Sequence, residues 1–159
     1  MAKNLILILV CASCSESLLG NDFRTLDFGD LCENIAEQEL KIGGKQVGSG
    51  ALNGFKGSFD YHGVTIADEA LILYTCSKDN IFIGGSVVLV KDSEEEAAEK
   101  AFEVLETIVN IHGPPNISKD FTEEYPGLGV TFIWDLSAYE IMINGSSNTI
   151  SLSFRPNIK

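Results

Sequence analysis

Hydrophobic positions along this chain change period several times, and each change marks an element. Leu31, Ile35, Ala36 and Leu40 recur at helical spacing, and Gly43-Gly44 stop the run. Asp30 is the expected N-cap of that helix, with Glu33 three residues later as its capping-box partner. Gly43–Gly54 then reads as a loop. Period two takes over in FKGSFDY, where Phe55, Gly57, Phe59 and Tyr61 share one face. His62-Gly63 predicts a turn, VTIA a second strand, and ALILYTC (Ala70–Cys76) a third. Ser77–Asn80 turns the chain into IFIGGSVVLV (Ile81–Val90), where Gly84-Gly85 predicts a bulge or a bend. The four segments read as an antiparallel meander.

The strongest helix signal follows. Ser93 with Glu96 forms a capping box, and Glu94, Glu95 and Glu96 suit the positive end of a helix dipole. Ala97, Ala98, Ala101, Phe102, Leu105, Ile108 and Val109 give the apolar face, and Gly113 with Pro114-Pro115 ends it. Three more strands are expected at Gly129–Trp134, Tyr139–Ile143 and Thr149–Phe154. The predicted fold is therefore α+β, with antiparallel meanders and two helices packed on one face. Helix plus three or four strands occurs twice, over 28–91 and 92–155, and the tripeptide Gly-Val-Thr recurs at Gly63–Thr65 and Gly129–Thr131. That order suggests an internal duplication within a single domain over 14–159.

The run Leu5–Cys11 is too short for a bilayer span, which needs about 20 residues. It has the length of a signal-peptide core, with Lys3 before it and Ala12, Ser13 and Ser15 after it. Residues 1–13 are read as a signal peptide and the mature chain as beginning at Cys14. Cys11-Ala12-Ser13-Cys14 resembles a bacterial lipobox, which implies lipid attachment at Cys14 and a membrane tether. Two other readings stay open: a buried first strand, and a thioredoxin-like pair using Cys11 and Cys14.

Charge narrows the partners. The chain has 11 basic and 23 acidic residues, a formal net charge of −12. Such a surface repels phosphate backbones, so nucleic acid is excluded and a basic protein partner is favoured. Beyond the leader the remaining cysteines are Cys32 and Cys76, which pair most simply as a disulfide in an oxidising compartment.

Catalytic chemistry finds little footing. The two histidines, His62 and His112, sit beside glycines at element ends and match no zinc-ligand spacing. No catalytic residue, metal ligand or cofactor is assigned. Gly48-x-Gly50 has no strand before it and no helix after it, so it is not read as a phosphate cradle. The best functional candidate is the connection Pro114–Gly129. In it Phe121 and Tyr125 alternate with Asp120, Glu123 and Glu124, a pattern of aromatic anchors rimmed by charge.

In its order of elements the chain resembles exported, duplicated helix-plus-meander proteins of the β-lactamase-inhibitory type. The resemblance implies binding to an enzyme through the sheet and its loops. The expectation is an exported acidic binding protein of inhibitor or immunity type, acting on a basic protein. The competing class is a small hydrolase, or a thiol oxidoreductase using Cys11 and Cys14.

Overall fold

Strand pairing decides the architecture. The computed structural model describes residues 23–48, 53–120 and 129–157. Helix α1 spans Ile35–Lys41 and is followed by strands β1 (Lys45–Val47), β2 (Asn53–Tyr61), β3 (Val64–Cys76) and β4 (Phe82–Val90). Helix α2 spans Glu94–His112 and precedes β5 (Ile117–Asp120), β6 (Val130–Asp135), β7 (Tyr139–Ser146) and β8 (Thr149–Pro156). All pairings are antiparallel, in one 8-stranded sheet of order β1-β2-β3-β4-β8-β7-β6-β5. A helix and four strands thus occur twice in sequence, and the two units join through their last strands.

Cross-strand partners share a face. One row runs Gln46, Phe55, Ile72, Val87, Leu152, Ile143, Phe132, Ser118. Its central members Phe55, Ile72, Val87, Leu152 and Ile143 are buried. Both helices lie over this face. Glu39 of α1 accepts a hydrogen bond from the buried Tyr74, and α2 packs on β7 and β8. Residues ahead of α1 also fill the core. Phe23 packs against Phe59, Tyr74, Phe82 and Phe154. Its ring occupies the space where a Cβ on Gly85 would stand, within 2.3 Å. That close approach is why a central strand carries glycine there. The opposite face has half-buried Leu71, Leu73 and Val88, and no described element covers it.

Several local expectations are corrected by tertiary contacts. Asp30 does not cap α1; its carboxylate accepts from Asp27 N–H. Residues 30–32 are instead held against the β3–β4 turn, with Phe82 N–H donating to Asp30 O and Cys32 N–H to Asn80 O. Only a 3-10 turn, Cys32–Asn34, forms before α1, so the helix begins four residues later than its cap signal predicted. Its buried positions are Ile35 and Glu39, with Cys32 buried in the turn before it, while Leu31, Ala36 and Leu40 are exposed. VTIA and ALILYTC are one strand of 13 residues, and its irregular pairing with β2 falls between Thr65 and Ala70. The Gly43–Gly54 loop contains β1, and part of the Pro114–Gly129 connection is β5. The bulge expected at Gly84-Gly85 lies beside them, where register shifts between Thr75/Gly84 and Cys76/Phe82.

The α2 boundaries agree with the sequence. Ser93 Oγ accepts from Glu96 N–H at 3.2 Å, and Gly113 ends the helix at φ 81°. Its buried residues are Ala97, Val104 and Ile108, whereas Phe102 is 70% exposed.

Candidate functional site

Of the five residues expected to form a protein-binding loop, the structure describes Asp120. Phe121, Glu123, Glu124 and Tyr125 lie outside the described residues, as do Cys11 and the expected lipid site Cys14. Asp120 ends β5 opposite Val130, and the same cross-strand row continues through Gly145 and Ile150. Val130, Gly145 and Ile150 form part of the floor of a cleft of about 520 Å³ between α2 and the sheet. Its helix wall is Ala97, Ala98, Ala101, Phe102 and Leu105. The register therefore sets Asp120 at the edge of an apolar cleft that the sequence did not reveal. The cleft exists because small α2 residues face a floor partly made of glycine, a pairing visible only once the two elements are packed.

Charge is distributed unevenly across the sheet. Helix α2 carries Glu94, Glu95, Glu96, Glu99, Glu103 and Glu106 against Lys100. The uncovered face bears Lys45, Lys56, Lys119 and Arg155 beside Glu69, Glu140 and Asp135, and is close to neutral. There Lys56 pairs with Glu69 at 2.8 Å and Arg155 with Glu140 at 2.6 Å. A groove of about 650 Å³ crosses that face over Gly84, between Ile83, Met142 and Arg155. The acidity of the described chain is thus concentrated on the helix side.

Cys32 and Cys76 are bonded, with sulfurs 2.01 Å apart and Cα atoms 6.4 Å apart. The bond joins the turn ahead of α1 to the end of β3, next to the core.

The two histidines, treated separately in the sequence, meet in the fold. Their rings are 5.6 Å apart, where the β2–β3 turn approaches the end of α2. Tyr61 Oη lies 2.7 Å from His112 Nε2 and 3.0 Å from Tyr139 Oη. Burial, and secondly the charge of His62, hold the His112 pKa below its usual value. Burial, and secondly the hydrogen bond with Tyr139, push the Tyr61 hydroxyl above the usual tyrosine range. Among the described residues no group of three or more His, Cys, Asp or Glu is placed to hold a metal ion.

This cluster sets a pH dependence. A depressed folded-state pKa means that the unfolded chain binds the His112 proton first as pH falls. The stability due to neutral His112 is present above the unfolded value, about 6.5, and is lost as pH falls towards the folded value. The urea midpoint should therefore decline between about pH 7.5 and pH 5.5, and less steeply in His112→Gln. Equal slopes in the two proteins would remove His112 as the cause.

Comparison with protein-family models, with curated proteins and with solved structures finds no match for this chain.

Proposed function

We propose that this is an exported acidic binding protein that docks a basic protein partner on the helix side of its sheet. The observation that carries the reading is the concentration of carboxylates along α2, beside an apolar cleft and an exposed Phe102. An apolar centre within a charged rim suits a protein interface, and the rim charges steer a basic partner. The Cys32–Cys76 bond suits an oxidising compartment, in keeping with export and a mature chain from Cys14. Within this proposal Phe121 and Tyr125 are anchors, and Asp120, Glu123 and Glu124 are rim charges. The inhibitor or immunity role rests on the resemblance to β-lactamase-inhibitory-type proteins. So does an origin by duplication, which the repeated order of a helix and four strands supports.

A second reading places the partner on the uncovered face, as the same resemblance implies. It is favoured by the half-buried Leu73 and Val88 and by Ile83, which is 41% exposed.

One experiment separates the two. The disulfide-bonded protein is used to capture partners from the exported fraction of its host, and association is then measured with the purified partner. The Glu95→Lys/Glu99→Lys/Glu106→Lys variant should slow association about tenfold at low salt, and less at high salt. Val88→Glu should leave it unchanged, whereas Phe121→Ala and Tyr125→Ala should shorten the lifetime of the complex. If Val88→Glu abolishes capture while the triple lysine variant binds normally, the partner sits on the uncovered face.

A further inference from the structure

We propose that the cleft beside α2 binds the alkyl chain of a single-chain amphiphile with a cationic head group. The cleft is open to solvent, with Phe102 of its helix wall 70% exposed, and covering such apolar walls with an alkyl chain removes them from water. Here the walls are kept apart by small residues on both sides. Ala98 and Ala101 of α2 face a floor containing Gly145, and a Cβ built on Gly145 meets nothing within 4 Å. The resulting volume, about 520 Å³, is that of a small-molecule site, for which about 300–1,000 Å³ is usual.

The lining is graded along its length. Phe102, Leu105 and Phe132 make one end apolar, while Glu94, Ser147 and Thr149 lie at the other. This polar end is fixed in place by Asn148, which exchanges hydrogen bonds of 2.9 Å with the backbone of Lys91, just ahead of α2. Glu94 supplies the charge there. Its carboxylate opposes an anionic head and favours a cationic one. The alkyl chain would lie along the apolar end, and the head would stand against Glu94.

The test is calorimetry on the full disulfide-bonded chain with dodecyltrimethylammonium, below its micellar concentration, and with dodecyl sulfate as the anionic counterpart. One saturable site is expected, about tenfold tighter for the cation. Gly145→Leu fills the floor and Ala98→Leu fills the helix wall. Both should abolish binding while keeping the wild-type unfolding midpoint, and either suffices if the other fails to fold. Glu94→Lys should reverse the preference between head groups, whereas Glu33→Lys, with the same change in net charge, should not. The proposal is overturned by the absence of a saturable site. Equal affinity for the two head groups, or unchanged binding by both filled variants, would also overturn it. None of these results depends on whether a basic protein is captured.

Discussion

Replacing Arg24 by methionine is expected to destabilise the protein by about 3–5 kcal/mol, because it strands a buried carboxylate. Glu39 is fully buried, and Arg24 Nε lies 2.5 Å from its Oε1. The same oxygen accepts from the Tyr74 hydroxyl, and Arg24 also donates to Ser58 O. Gly44 and Gly57 make room for the pair: a Cβ on Gly44 would stand 2.4 Å from Glu39 Oε2, and one on Gly57 would stand 3.0 Å from the Arg24 guanidinium. With the guanidinium gone, a desolvated carboxylate must either remain charged without its partner or take up a proton. Either outcome costs several kcal/mol, whereas replacing both members by apolar side chains of similar volume is often close to neutral. Arg24→Met/Glu39→Met should therefore recover most of the loss, as read from urea unfolding midpoints at constant slope. If the double variant is as unstable as Arg24→Met alone, desolvation of Glu39 is not the source of the effect.

Removing the Cys32–Cys76 bond is expected to cost about 4 kcal/mol on the chain-entropy model, given the sequence separation of 44 between its ends. For a chain of this size that corresponds to a fall in melting temperature of roughly 8–16 °C. The Cys32→Ala/Cys76→Ala variant is the appropriate test, since alanine leaves no new polar group beside the core. Without the bond, the segment ahead of α1 is held by Arg24–Glu39, by the Phe23 ring against Gly85, and by Cys32 N–H on Asn80 O. A melting temperature unchanged by the double substitution would show that these contacts already confine the segment. Because the bond and the ion pair pin the same segment, their losses should not add when combined.

Where an element's identity depends on neighbouring residues along the chain, the sequence was sufficient. Helix α2 is specified by its Ser93 cap and by Gly113. The β2–β3 turn is specified by His62-Gly63, both at positive φ, which sharp hairpins require. Alternation identified most of the strands, and hence the α+β class with both helices over one face of an antiparallel sheet. Where identity depends on a partner distant in sequence, it was not legible. The cap signal at Asp30 lost to the ladder that residues 30–32 make with the β3–β4 turn. All residues of β5 are exposed, so no apolar pattern marks it, and pairing with β6 alone makes it a strand. Asp68-Glu69 interrupts the apolar pattern of β3, yet the strand continues through them because both side chains point to solvent.

The site divides along the same line. Sequence alone determined the acidity, the connection in which Asp120 lies, and the pairing of Cys32 with Cys76. It could not show that Glu39 belongs to the core, since a carboxylate is buried only where an arginine from elsewhere in the chain meets it. Nor could it show that His62 and His112 share one cluster. The cleft was the least accessible feature. Its walls are alanines, glycines and ordinary core residues, and its volume comes from how far apart packing holds them. Local chemistry fixes caps, turns and alternation over a few residues. Voids, buried charges and clustered side chains are set by which distant segments the sheet brings together.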